Sequence, residues 1–225
     1  MLENQLLSCV ENIYSSSYQK PLLLQEYISG DDTSTMVINF YSDKRGKVKL
    51  ISSGQTILKD MHPKTYGDYV AIISKKENPK IAEDIKTFLE KIRYRGASNF
   101  YVKRCTKTEE YYCLGMNLKP SNTYFTSVSS MSIAKAYVDD LIYDDIEPTF
   151  CNAREILWLN VPYAILLKCL HDNNLLSKIK DLKKENNVFH TLDNKEDRTL
   201  RRNYIKSIYY LRKMRYFPKY QIDKK

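Results

Sequence analysis

The side chains most capable of chemistry lie near the end of the chain. Arg198, Arg201, Arg202, Lys206, Arg212 and Lys213 recur through a stretch interleaved with Tyr204, Tyr209, Tyr210, Tyr216 and Tyr220. At about 100° per residue on a helix, Leu200, Tyr204, Ile208, Leu211 and Met214 fall on one stripe and the cations mostly on the other side. A helix of this kind packs its apolar stripe on a domain and turns a row of cations outward. Such a row matches the spacing of phosphates and binds nucleic acid through counterion release. Tyr209 and Tyr210 are then available to stack on unpaired bases, worth about 1–3 kcal/mol per base. A basic amphipathic helix also suits an acidic protein face or an anionic lipid surface. Here Tyr204 and the lack of Trp in the stripe weigh against lipid.

The charge behind this reading is local. The chain has 225 residues, 36 Lys and Arg against 27 Asp and Glu, and a net charge of +9. Residues 191–225 hold 11 basic and 4 acidic residues, which leaves 25 and 23 for the rest. A hydrophobic content of 43% is enough to build a core. The abundance of Lys, Asn, Ile and Tyr suits an AT-rich genome such as that of a large virus or a parasite.

The elements that must carry the tail read as follows. Leu2–Tyr14 is a short helix, stopped by Ser15-Ser16-Ser17. Thr35–Tyr41 and Lys47–Ser52 form a hairpin around Ser42–Gly46, and Tyr69–Ser74 is a buried strand. Asn78-Pro79 opens an amphipathic helix with Ile81, Ile85, Phe88, Leu89 and Ile92 at helical spacing, ended by Gly96. Asn99–Cys105 and Glu110–Leu118 form a second hairpin, across which Cys105 and Cys113 face each other as free thiols, and Tyr124–Val128 is a further strand. Beyond Ser130 or Ser132 the pattern is helical: a helix to about Tyr143, another over Ala153–Asn160 capped by Asn152, a third from Pro162 to about His171, a stripe at Leu175, Leu176, Ile179 and Leu182, and a last helix from Asp193 or Asn194 to about Tyr216, stopped by Pro218. The fold class is α+β: a small mixed or antiparallel sheet with one amphipathic helix, followed by a helical C-terminal part. The division falls at 1–128 and 129–225, with the two parts able to share one core.

Other chemistry finds little support. The six glycines are scattered, so neither a P-loop nor a dinucleotide fingerprint is present. His62, His171 and His190 lack the companions of a nucleophile. Cys169, His171 and Cys151 do not show the tight pairs of structural zinc. Tyr137-Val138-Asp139-Asp140 resembles the YxDD motif of reverse transcriptases, whose paired carboxylates hold catalytic metal ions. That resemblance spans four residues, and the helical spacing of Ile133, Ala136, Tyr137, Asp140, Leu141 and Asp144 makes the segment the acidic face of a helix, able to dock the basic tail. Lys91, Arg93, Arg95, Lys103, Arg104 and Lys107, near Tyr94, Phe100 and Tyr101, are a second basic patch.

The expected protein is therefore an intracellular, cytoplasmic or nuclear, accessory protein without cofactor, metal or membrane span, contacting nucleic acid (RNA or DNA) through Arg198, Arg201, Arg202, Lys206, Tyr209, Tyr210, Arg212 and Lys213. The alternatives are a non-catalytic interaction or assembly subunit, viral in composition, that meets an acidic protein surface, and a nucleic-acid- or nucleotide-processing enzyme without a local motif.

Overall fold

In the computed structural model, the described residues are 3–75, 78–118, 124–129, 131–150, 154–193 and 199–221. Arg198, Ser130, Cys151, Asn152 and Asn194 lie outside them. The chain runs α1 (Glu3–Ser15), β1 (Thr35–Ser42), β2 (Val48–Lys59), β3 (Tyr69–Lys75), α2 (Pro79–Lys91), β4 (Gly96–Arg104), β5 (Tyr111–Asn117), α3 (Tyr124–Val128), α4 (Ile133–Val138), β6 (Leu157–Leu159), α5 (Tyr163–Cys169), α6 (Asn173–Lys184), β7 (Val188–His190) and α7 (Leu200–Gln221). The fold class is α+β. One seven-stranded sheet has the order β5-β4-β1-β2-β3-β6-β7. It is mixed, because β6 and β7 pair in parallel while the other neighbours are antiparallel.

Local chemistry sets the joints. In the β1–β2 turn the Asp43 carboxylate accepts the amides of Arg45 (2.9 Å) and Lys47 (2.8 Å). Gly46 takes the left-handed φ of 77° that this turn needs. Asn78 caps α2 by accepting the Lys80 amide at 3.0 Å, and Pro79 occupies the first turn, where its missing N–H costs nothing. The helix leaves through Arg93, at φ 51°, before Gly96.

Strand alternation then sorts the core. Met36, Ile38 and Phe40 of β1 face α2, which buries Ile85 and Leu89 against them. Val37 and Tyr41 face the other way, against Phe125 of α3 and Ile133 and Ala136 of α4. The approach of α3 depends on Gly54, where a Cβ would sit 2.4 Å from Ile72 and 3.1 Å from Phe125. At the β3–β6 end, Ile165 and Leu166 of α5, Ile179 and Leu182 of α6 and Phe217 of α7 close over Ala71, Ile73, Leu157 and Leu159.

Four expectations change. Tyr124–Val128 is a helix, and the run expected to be helical over Ala153–Asn160 carries strand β6 instead. Both are short apolar or aromatic runs whose periodicity does not separate helix from strand, and sheet pairing decides them. The last helix starts at Leu200 and continues past Pro218 to Gln221, beyond the stop expected there. Cys113 is registered with Val102, not with Cys105. Cys9, Cys105, Cys113 and Cys169 are all free thiols. Among the described residues no helix is long and apolar enough to cross a membrane.

Candidate functional site

The apolar stripe of the basic helix is turned outward, opposite to the sequence reading, while Arg201 and Arg212 are exposed as expected. The helix's inward face carries Tyr209, Lys213 and Phe217. The Tyr209 hydroxyl donates to the Asn160 side chain at 3.1 Å, Phe217 is buried in the core, and Lys213 reaches the buried Asp60 carboxylate at 2.6 Å. Lys206 pairs with Asp193, and the Tyr210 ring lies 5.8 Å from that of His190. Burial raises the Tyr209 hydroxyl above its usual range and pushes Tyr210 up to about 12. Both tyrosines are packing groups, not exposed stacking platforms. Arg202 is half-buried, and Arg201 and Arg212 are exposed. The outward stripe is the apolar one: Leu200 is 89% exposed, Tyr204 68% and Leu211 65%. Lysine stems lie along apolar surface while their tips find Asp60 and Asp193, so Lys206 and Lys213 face the body while Arg201, Arg212 and Arg215 stay outward among the apolar residues.

The acidic face does not hold the tail. Asp144 pairs with Lys44 (2.9 Å) and Arg45 (3.2 Å), and Asp139 with Lys135. Asp140 is buried and accepts from the Tyr41 hydroxyl at 2.7 Å and the Lys44 amide at 2.9 Å. The Tyr137 hydroxyl accepts the Ala97 amide at 2.9 Å, and its ring stands edge-on to Tyr41 at 4.7 Å. The four residues that resemble YxDD thus lock a helix end onto the β1–β2 hairpin. In the second basic patch, Phe100 belongs to the core, Arg104 pairs with Glu109 at 2.9 Å and Lys103 lies 4.8 Å over the Tyr27 ring.

Two features emerge that sequence reasoning did not find. The first is a polar row across the sheet face beneath α3 and α4. Register aligns Asn117 with Asn99, Asn99 with Asn39, and Asn39 with Ser52, so four strands place amides and a hydroxyl side by side. Asn39, Ser52 and Asn99 are fully buried, and neither polar atom of the Asn39 side chain has a hydrogen-bond partner. A buried unsatisfied amide costs about 1–3 kcal/mol, so Asn39 calls for a partner beyond the side chains that surround it. The row joins residues 13 to 60 positions apart in pairs, so no local motif announces it. The second feature is a groove of about 780 Å³ between α2 and the β4–β5 hairpin, with Ile81, Ile85, Phe88 and Phe100 in its walls and Asp84 and Glu110 among its polar lining.

The three buried carboxylates are already engaged. Asp43 accepts two turn amides and lies 3.9 Å from Lys49. Asp60 accepts from the His62 amide, the Thr65 hydroxyl and Lys213. Burial alone would raise its pKa, but Lys213 and these two donors hold it below the usual carboxylate range. Asp140 is tied as above. Among the described residues no three His, Cys, Asp or Glu side chains converge as a metal site requires.

Comparison with known proteins adds the following. No protein-family model matches the sequence. The chain is 30% identical over 196 residues, 84% of its length, to D-aspartate ligase from Enterococcus faecium (strain Aus0004). The match takes in 46% of that protein, so the chain spans less than half the length of the curated relative. Among solved structures, the biotin carboxylase domain of a thermophilic 2-oxoglutarate carboxylase bound to bicarbonate matches with a TM-score of 0.51 at 16% identity, over 66% of this chain and 34% of that one. That likeness concerns the fold alone. N5-carboxyaminoimidazole synthetase from Staphylococcus aureus complexed with ADP matches at a TM-score of 0.45 and 10% identity, over 61% and 36% of the two chains. The expectation of a nucleic-acid-binding, RNA-binding or non-catalytic accessory protein is overturned by the ligase relative. The viral attribution has no support from this bacterial relative. The physical reason lies in the tail itself: Lys206 and Lys213 are spent on Asp193 and Asp60, and Tyr209 and Tyr210 are packed against the body.

Proposed function

We propose that the chain is the sheet-bearing portion of an ATP-dependent ligase of the D-aspartate ligase type. The observation that carries this reading is the 30% identity to D-aspartate ligase over 84% of the chain. The α+β sheet matched in the biotin carboxylase domain is consistent with it.

Such a reaction uses a nucleotide and a divalent cation, which neutralises charge on the transferred phosphoryl group. The three buried acids are not free to take that cation. Magnesium is held by one or two carboxylates beside phosphate oxygens. Asp43, Asp60 and Asp140, the buried acids, are spent on turn amides, Lys213 and Tyr41. The row on the sheet is uncharged. No step through a metal–nucleotide complex is therefore assigned to these residues.

The row suits a neutral task. An amide presents a donor and an acceptor together, so Asn39 can give an N–H to the carboxylate of an amino acid and take one from its ammonium group. Asn39 is fully buried beneath α3 and α4, so access requires these helices, five and six residues long, to lift from the sheet. A helix so short holds its place through packing and not through its own propensity.

Calorimetric titration of the chain with D-aspartate and with L-aspartate, with and without ATP and magnesium, tests the reading. Saturable binding of D-aspartate, weakened by Asn39→Leu in a variant that melts no lower than the parent, is the expected result. Absence of amino-acid binding under every condition, together with no ADP formed from ATP, overturns it.

A further inference from the structure

We propose that the chain self-associates head to tail, the outward stripe of α7 from one copy seating in the α2–β5 groove of the next. The proposal starts from the orientation of α7. A 22-residue helix turns its aliphatic side chains to solvent: Leu200, Ile205, Ile208, Leu211 and Met214 are all exposed, with Tyr204 among them. Surface helices of a complete fold turn such a stripe to the core. Here the core side is already taken by Tyr209, Lys213 and Phe217. Contiguous exposed apolar surface of this kind marks a binding face.

The composition of the stripe selects the kind of partner. At about 100° per residue, Arg215 falls between Tyr204 and Ile208, and Arg201 and Arg212 between Ile208 and Ile205. All three arginines are exposed. A lipid surface would have to take these guanidinium groups down with the aliphatic residues. Tyr, Arg and Met among aliphatics are the mixture enriched in protein interfaces. The partner must also be acidic, which excludes α7 pairing with its own copy, since the helix contains no Asp or Glu.

The groove between α2 and β5 meets both conditions. Ile81 and Ile85 of α2, one turn apart, line it with Phe88 and Phe100, and Phe88 is itself 48% exposed. Asp84 and Glu110 line it against Lys80, and Glu109, also in the lining, is paired with Arg104. An apolar channel of about 780 Å³ with an acidic margin is the complement of an apolar stripe with arginines set in it. The stripe and the groove are separate surfaces of one chain, so in a head-to-tail contact each added copy leaves one of each surface unfilled.

Mixing two disabled variants tests the contact. Wild-type chain in sedimentation equilibrium is expected to exceed the 26.5 kDa monomer mass increasingly with concentration through the micromolar range, and less so in high salt. Leu211→Glu removes the stripe and Phe88→Glu the groove, and each alone is expected to stay at the monomer mass. Mixed one to one, they are expected to form a dimer of twice that mass and nothing larger, because one intact helix meets one intact groove. Both substitutions are at exposed positions, and recovery on mixing also establishes that both variants are folded. A wild-type chain that stays monomeric, variants that still associate singly, or a mixture that stays monomeric overturns the proposal. Flotation of wild-type chain with phosphatidylserine vesicles, lost in Leu211→Glu and without self-association, overturns it in favour of lipid.

Discussion

Lys213 places its Nζ 2.6 Å from Oδ2 of Asp60, across 153 residues of sequence. The pair fastens α7 to the turn between β2 and β3, and it fixes which side of the helix faces the body. Asp60 is 3% exposed at its side chain and Lys213 19%, so water screens the contact poorly. Removing one partner leaves a buried charge alone, which costs on the order of 3 kcal/mol. Lys213→Met is therefore expected to lower the melting temperature by roughly 6–12 °C, at about 2–4 °C per kcal/mol for a chain of this size. Arg212→Met, one residue away and exposed, is expected to change stability by no more than about 0.5 kcal/mol. Equal losses in the two variants would refute the inward orientation. The carboxyl of Asp60 is held low, so its contribution is complete above the unfolded carboxylate pKa of about 4 and is lost only as pH falls through the folded value.

Asn39 makes the opposite kind of prediction. Both of its side-chain polar atoms are buried without a partner. Replacing an unsatisfied buried amide with an apolar group of similar size removes a cost of about 1–3 kcal/mol. Asn39→Leu is expected to denature at equal or higher urea concentration than the parent, with an unchanged slope. A clear fall in the midpoint would mean that the amide is satisfied in solution, and the case for a ligand there would end.

Cys105 sits at the start of the β4–β5 turn, 3.2 Å from the Ser29 hydroxyl. That hydroxyl, the Thr108 hydroxyl and the amides of Lys107 and Thr108 draw the thiol pKa down to about 6. Burial instead raises the Cys113 and Cys169 thiols. The thiolate absorbance that disappears in Cys105→Ser is expected to titrate with a midpoint near 6 in the parent and distinctly higher in Ser29→Ala. A midpoint at the ordinary thiol value in both would contradict the geometry.

The hairpins and α2 were legible because their signals are local. Asp43 with Gly46, and Asn78 with Pro79, carry turn and cap chemistry within a few residues. Strand β6 was not, because Leu157, Trp158 and Leu159 are buried on both sides and show no alternation. The orientation of α7 was hidden for a different reason. Helical period separates two faces but does not say which one turns inward, and the deciding partners, Asp60 and Asp193, lie elsewhere in the sequence. Tyr209, Lys213 and Phe217 at four-residue steps were the available sign of a second seam. The Asn39 row escaped notice because it exists only once four strands are in register.

His190 offers the test of the β7–α7 seam by pH. Its ring is set against Tyr210, and its Nδ1 has no hydrogen-bond partner. Burial lowers its pKa, and Lys206 and Lys183 push the same way, while Asp193 opposes them. The folded chain thus keeps the ring neutral where the unfolded chain already takes a proton. The unfolded state binds more protons below its own pKa of about 6.5, so stability rises with pH in that window. The contribution is complete above about 6.5 and declines as pH falls from there toward the folded value. Urea midpoints measured from pH 7.5 down to pH 5 are expected to fall for the parent and to stay flatter for His190→Gln, which cannot take up the proton. Because α7 is held on this side by Tyr210 and Lys206, the low-pH loss is expected to appear first as weakened protection of the α7 amides in hydrogen exchange. Uniform loss across the sheet and helix together would instead place His190 in the global core and not at the seam.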